Sequence, residues 1–327
     1  ELKQMEASLQ GAKAKDLNPL FFDDFEQIGP QRGSNPGGLF KSKTTGESWY
    51  IKFPQSTEHA RNEALAADLY QQAGVKVPEV KLVYDRGRVG VASKIIDGLE
   101  QNGAMLAQAK GAYDGFAVDA WLANWDVVGL NFDNMLIKNG MAYRVDTGGA
   151  LLFRAQGMPK GAAFGNIVEE WNTFRTVSNF TTTQVFKDTS EKKLIASANK
   201  VLKISDKAIR DTVRLYGFDT DLATLLIERK RWIKAEVAKL KPKARPRTVA
   251  KAPLNERLTR EEYQKIIDAR GNGYAVRIDK DEIEDQQILF WREQNREGTW
   301  VVSADFKVRG RAVETMAEWP ALVTDRK

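Results

Sequence analysis

Between residues 25 and 94 the chain alternates short strand-like runs with glycine-bearing turns and is interrupted once by a helical pattern. That order constrains the fold more than any other feature. Residues 25–28 read as a strand, followed by the glycine-rich stretch Gly29-Pro30-Gln31-Arg32-Gly33-Ser34-Asn35-Pro36-Gly37-Gly38. A second strand at 39–42, a Thr45-Gly46 turn and a third strand at 49–53 complete a hairpin with this loop at one end. Glycines let a backbone approach phosphate closely and aim N–H groups at it, although a flexible turn would use the same residues. Ser56 or Thr57 can then cap a helix carrying Ala60, Glu63, Ala64, Leu65, Ala67, Leu69 and Tyr70, with Gly74 as its stop. Strands at 79–84 and 88–94 follow, joined by Asp85-Arg86-Gly87. The expectation is a small lobe of five strands and one inserted helix, with residues 95–98 crossing into a helical part.

Two positions in this lobe stand out. Lys52 sits between Tyr50-Ile51 and Phe53, where a lysine is costly to bury unless an anion receives it. Glu63, among small helix residues, follows it either as an accident of a charged protein or as an ion-pair partner that aims it at a nucleotide phosphate. Downstream, an apolar helix containing Phe116, Val118, Ala120, Trp121 and Leu122 leads into Asn124-Trp125-Asp126 and the loop Val127-Val128-Gly129-Leu130-Asn131-Phe132-Asp133-Asn134. A hairpin turning at Asn139-Gly140 follows and ends on Asp146-Thr147-Gly148-Gly149. Such a hairpin brings the Asn at one base close to the Asp at the other. An amide and a carboxylate oxygen suit Mg²⁺ shared with phosphates, and a carboxylate on the preceding loop could accept the proton of an attacking hydroxyl.

Composition narrows the chemistry to this set. The 327 residues are 42% hydrophobic and 29% charged, which excludes general disorder and fits about two domains. With no Cys and one His, thiolate chemistry, multi-histidine metal sites and disulfides are excluded. His59 itself is expected at the surface. No run approaches the roughly 20 apolar residues of a membrane span, and Glu1-Leu2-Lys3-Gln4 does not open a signal peptide. A cytoplasmic location is expected, or delivery into a host cell if the chain is an effector or phage module. The start without Met reads as an excised domain or a processed product.

The net charge of +6 is concentrated between Arg229 and Lys251, where a helix passes into a Lys-Pro-Lys-Ala-Arg-Pro-Arg stretch. A solvated helix end and interdomain linker is the favoured reading, with nucleic acid or an anionic surface as the alternative contact. The resulting division is an N-terminal helical extension at 1–20, lobes at 21–98 and 99–240, a basic linker at 241–255 and a small α+β segment at 256–327. The last opens with a Thr259-capped helix, carries strands at 274–278, 288–291 and 299–306, and holds no catalytic constellation.

These residues in this order resemble the protein-kinase-like superfamily, near its divergent bacterial branch of HipA-type serine/threonine kinases and phosphatidylinositol-kinase-like proteins. The resemblance spans residues 25–226 and implies an α+β, two-lobed kinase-like fold that uses ATP and Mg²⁺. Gly33, Ser34, Asn35, Gly37 and Gly38 look like the phosphate-covering loop, Lys52 like the strand lysine, and Glu63 like its helix partner. Ile96, within 95–98, falls at the hinge where adenine would pair. Asp126 resembles the catalytic aspartate, Asn134 the metal-binding asparagine and Asp146 the metal-binding aspartate.

Departures from the pattern are definite. Asn124-Trp125 replaces the usual His-Arg, so the familiar anchor of the catalytic loop is missing. Asn134 lies eight residues after Asp126, whereas Asn131 lies at the familiar spacing of about five. Asn134 is preferred because the hairpin follows it directly, and Asn131 and Asp133 stay as candidates. No Ala-Pro-Glu follows Asp146, and residues 151–166, with Arg154 and Lys160, read as a mobile activation or substrate loop. The implied reaction is phosphoryl transfer to a hydroxyl, with protein Ser/Thr favoured over lipid or small-molecule acceptors. Thr147, Ser178, Thr181, Thr182 and Thr183 are weak candidates for self-modification. Nucleotidyl transfer from a flipped ATP, or a binding platform that has lost catalysis, are the competing readings.

Overall fold

The computed structural model describes residues 17–33, 35–177 and 181–240, together with short strands between residues 292 and 312. The chain divides into two compact units, Glu1–Lys241 and Pro242–Lys327. The first is α+β and has two lobes.

Its sheet has six strands: β1 (Leu20–Phe21), β2 (Phe25–Gly29), β3 (Gly37–Ser42), β4 (Ser48–Lys52), β5 (Val80–Asp85) and β6 (Arg88–Lys94), in the order β1-β5-β6-β4-β3-β2. All neighbours are antiparallel except β1, which runs parallel to β5 through Leu20↔Val83 and Phe21↔Tyr84. This corrects the five-strand expectation and removes Leu20 from a helical extension. Two residues carry too little periodicity to announce a strand, and only the open edge of β5 makes them one. Residues 1–16 lie outside the described set.

Helix α1 (Thr57–Gln72) crosses between the sheet and the helical lobe. Of the two candidate caps the chain uses Ser56, whose hydroxyl accepts from the His59 N–H, and Gly74, at φ +68, ends the helix. The helix is buried almost all round because it is packed on both sides.

The second lobe is built on α2 (Gly103–Leu106), α3 (Ala112–Trp121), the hairpin β7 (Met135–Lys138) and β8 (Met141–Arg144), and then α4 (Glu170–Thr176), α5 (Thr181–Phe186), α6 (Glu191–Lys203), α7 (Asp206–Leu215) and α8 (Thr220–Leu240). The β7–β8 turn uses Asn139 and Gly140, both at positive φ, as the Asn-Gly pair dictates. Helix α3 is buried over nearly its whole length and is the lobe's central rod. The Trp121 indole donates to the Leu226 carbonyl at 2.8 Å. No helix among the described residues is long and apolar enough to cross a membrane.

Helix α8 amends the reading of the basic stretch at its first two residues, whereas Arg231, Lys234 and Lys239 are exposed as a solvated helix end requires. Arg229 is fully buried and donates to the carbonyls of Trp121 (2.8 Å), Ala120 (2.7 Å), Gly165 (2.6 Å) and Ile167 (3.1 Å) and to the Glu170 carboxylate (2.8 Å). Five acceptors offset the desolvation of one guanidinium, and they include the C-terminal carbonyls of α3. Lys230 is taken up by Asp206 and the Ile204 carbonyl. The first two residues of the basic run therefore hold the lobe together, and residues 241–251 lie outside the described set.

In the second unit the strands β9 (Arg292–Gln294) and β10 (Trp300–Val302) pair antiparallel, as do β11 (Lys307–Val308) and β12 (Arg311–Ala312). Of the strands expected there, 274–278 and 288–291 lie outside the described residues, as do the Thr259 helix and the linker at 241–255.

Candidate active site

Strand alternation explains where Lys52 points. In β4, Trp49 and Ile51 are buried in a small core with Phe25, Phe40, Phe53, Val83 and Ala92. Tyr50 and Lys52 therefore take the other face, toward α1 and the cleft. Lys52 Nζ lies 2.9 Å from Glu63 Oε1 and 3.1 Å from both Asp146 carboxylate oxygens. One ammonium is thus shared by two carboxylates, one on α1 and one just beyond β8.

The environments of the three groups differ. The Glu63 side chain is 2% exposed, whereas that of Asp146 is 42% exposed and faces the cleft. Burial, with the Asp146 charge beside it, pushes the Glu63 carboxyl up to about 7 against the pull of Lys52. Burial would raise Asp146 as well, but Lys52 and the Gly148 N–H, which donates at 2.9 Å, hold it below the ordinary carboxylate range. Burial opposes the charge on Lys52, and the two carboxylates overcome it and raise its pKa. With both carboxylates ionised the trio carries net negative charge, and the buried Glu63 Oε2 has no hydrogen-bond partner.

Across the cleft, Asn134 at the foot of β7 donates from Nδ2 to the Asp126 carboxylate and to the Asp126 carbonyl, both at 2.8 Å. The amide N–H₂ is spent on Asp126, which leaves Asn134 Oδ1 as the atom able to meet a cation. Burial and the nearby Asp146 charge push the Asp126 carboxyl up to about 6, with Asn134 opposing and Asp133 adding to the rise. Asp126, Asn131, Asp133, Asn134 and Asp146 all line an open cleft of about 670 Å³ with Lys52, Tyr50, Arg32, Gly33 and Asn35. The described residues hold no cluster of three acidic or histidine ligands, but the Asn134 amide oxygen and the Asp126 and Asp146 carboxylates that line this cleft are oxygen donors of the kind a hard divalent cation takes, so the donor chemistry fits Mg²⁺.

The glycine-rich loop divides into two kinds of glycine. Gly33, at φ +82, lines the cleft and has open space around it. Gly37 and Gly38 lie in β3 opposite Lys52 and Ile51, where backbone crowding excludes a Cβ. A Cβ on Gly37 would fall 2.8 Å from the Lys52 Cα. Packing beside the lysine accounts for Gly37, and the close approach of Gln27 and Gly29 on β2 accounts for Gly38; Gly37→Ala is expected to cost about 1–3 kcal/mol, seen as a lower urea midpoint at unchanged m-value. Tyr50 straps the loop to the sheet, accepting from the Arg32 N–H at 2.7 Å and bonding the Arg32 carbonyl in turn. Ser34 lies outside the described residues.

Several expectations change. Ile96 is half-buried but does not line the cleft. His59 is buried, stacked on Phe153 with ring centroids 4.8 Å apart and with Nε2 3.4 Å from the Gly148 carbonyl. A polar residue one turn into a helix reads as surface until the loop after Asp146 is seen to close over it. Of the candidate hydroxyls, Thr147 is buried and donates to the Glu63 carbonyl, Thr181 donates to the Gly129 carbonyl, and Thr182 and Thr183 are buried. Ser178 lies outside the described residues.

The sequence reading missed the ties that hold α1 against the second lobe. Asn62 donates to the Ala150 carbonyl and accepts from the Leu152 N–H, each at 3.0 Å. The Tyr70 hydroxyl donates to Asp119 at 2.9 Å and accepts from Asn124 at 3.1 Å. An Asn beside the conspicuous Glu63, on a helix otherwise rich in Ala, is the one signal that could have been read.

No family model and no curated protein matches the chain. Among solved structures it is similar to the Helicobacter pylori proinflammatory kinase CtkA, at 15% sequence identity and a TM-score of 0.48, over 68% of this chain and 98% of that one. It is also similar to an aminoglycoside phosphotransferase from Alicyclobacillus acidocaldarius, at 10% identity and a TM-score of 0.26, over 67% of this chain and 93% of that one. At these identities function has to be read from the site itself.

Proposed function

We propose that this cleft binds a nucleoside triphosphate, ATP by the resemblance to HipA-type kinases, and transfers its terminal phosphoryl group to a hydroxyl acceptor. One observation carries the reading: Lys52 is held between the buried Glu63 and the cleft-facing Asp146, with Asp126 and Asn134 in the same cleft. A lysine with both carboxylates is fixed in direction and remains charged, which suits it to meet phosphate oxygens.

Asp146 and Asn134, with Asn131 as the further candidate, would hold Mg²⁺, which would neutralise charge on the phosphates. Glu63 orients Lys52 from a site closed to water. The Gly33 and Asn35 backbone lies at the cleft where N–H groups can cover phosphate. Asp126 accepts the proton of the acceptor hydroxyl as its oxygen bonds to phosphorus, and the breaking P–O bond leaves its electron pair on the nucleoside diphosphate. A raised Asp126 pKa improves the match between this carboxylate and a hydroxyl proton.

A protein hydroxyl is the favoured acceptor, because the cleft is open and its rim carries Leu130 and Met158, 86% and 65% exposed, with Arg154 stacked on Trp125. A binding platform centred on the basic stretch is weakened by the internal use of Arg229 and Lys230. Asp126→Asn is expected to lower kcat for Mg²⁺-dependent ATP turnover by about 10²–10⁴ while the nucleotide KM changes little. Undiminished turnover in that variant would remove Asp126 from the mechanism.

A further inference from the structure

The loop bearing Asp126 lacks the His-Arg pair that would anchor it, yet it is not unanchored. Lys160, 4% exposed, sends its ammonium to three backbone carbonyls: Ala123 at 2.7 Å, Gly149 at 2.8 Å and Leu151 at 2.8 Å. An ammonium has three N–H donors, and here each has one acceptor. The Ala123 carbonyl lies at the entrance to the Asp126 loop, and the other two belong to the segment that follows Asp146. Within residues 151–166, expected as an activation or substrate loop, this lysine is a tether.

Two further observations give the contact meaning. Ala123 and Leu151 are both non-glycine residues at positive φ, +49 and +56, and both present their carbonyls to Lys160. Side chains at positive φ persist only where surroundings over-determine the backbone, and such positions cluster at functional sites. The Leu151 N–H also donates to the Leu122 carbonyl at 2.6 Å, so the same two segments meet twice. Burial pulls the Lys160 pKa down to about 7, with Glu170 opposing and Arg229 and Arg154 adding to the fall. A buried cation is therefore costly here, where an apolar side chain of similar length would avoid the cost.

We infer that Lys160 is a positioning residue that clamps the loop carrying Asp126 to the loop carrying Asp146, and so sets the separation between the proton acceptor and the carboxylate that faces metal and phosphate. It touches no reacting atom itself. The inference rests on the phosphotransfer reading for its catalytic consequence, but the clamp can be tested without it.

The test uses the full chain and Lys160→Met, with Lys160→Gln as the second variant should the first fail to fold. Amide hydrogen exchange reads the clamp directly. Residues 123–128 and 147–153 are expected to exchange about tenfold faster together, while helices 112–121 and 191–203 keep their wild-type protection. In Mg²⁺-dependent ATP turnover, kcat is expected to fall about 10–100-fold with the nucleotide KM within about threefold, the signature of misplacement rather than lost binding. Unchanged exchange in either loop overturns the clamp, and so does a uniform rise in exchange across the helices, which would make Lys160 an ordinary stabilising residue. Wild-type protein without ATP turnover would sink the phosphotransfer reading instead, and the exchange result would still decide the clamp.

Discussion

Replacing Asp146 with Asn is expected to abolish Mg²⁺-dependent nucleotide binding while leaving the free protein's thermal midpoint within a few degrees of wild type. The asymmetry follows from the geometry. Asp146 shares Lys52 with Glu63, so its loss leaves the lysine paired at 2.9 Å and not buried alone. The Asp146 side chain is also 42% exposed, so little packing goes with its charge. Binding is a different matter, because the substitution takes away the cleft-facing carboxylate best placed to hold a cation. A thermal-shift titration reads both halves at once. At a nucleotide concentration near 100 Kd the wild type should gain about 2.7 kcal/mol, or roughly 5–10 °C, only when Mg²⁺ is present, and Asp146→Asn should gain nothing. Turnover should fall by about 10²-fold or more. Asp146→Ala should behave alike, and full activity in either variant would end the assignment.

The opposite pattern, a large loss of stability, is expected at Arg144. Its guanidinium and the Asp119 carboxylate are both fully buried, joined at 2.6 and 3.0 Å, and Arg144 also donates to the carbonyls of Gly111 (2.6 Å) and Ala112 (2.8 Å). Asp119 in turn accepts from Tyr70 on α1, and Tyr70 accepts from Asn124 beside the candidate active site. Arg144→Met strands a buried carboxylate and should cost about 3–5 kcal/mol, lowering the thermal midpoint by roughly 6–20 °C. Adding Asp119→Asn should return part of that loss, because the uncompensated charge is then gone. A midpoint unmoved by Arg144→Met would show that the pair does not hold the lobe together. Tyr70→Phe removes one hydroxyl from the same network and should cost only about 1–2 kcal/mol.

These two sites differ in how far a linear reading reaches them. Lys52 is visible as a charge inside an apolar strand, and the period-2 pattern of Trp49 and Ile51 already sends it to the opposite face. Asn134 and Asp146 are visible because a hairpin turning at Asn139-Gly140 must bring its two ends together. Arg144 sits in the same hairpin and gives no such sign. As one arginine among many charges it becomes exceptional only when α3 supplies Asp119 and the Gly111 and Ala112 carbonyls around it.

Local chemistry decides the strands, the Ser56 cap, the Gly74 stop, the hairpin and the face of β4 that carries Lys52, because each depends on residues a few positions apart. Tertiary structure alone decides which carboxylates share that lysine, one of them 94 residues away. It also buries His59 and Arg229, ties Asn62 and Tyr70 to the second lobe, and turns Lys160 inward. The physical reason is the same in each case. A polar side chain is written identically in the sequence whether water or a backbone carbonyl will receive it, and only packing between distant segments removes the water and supplies the partner.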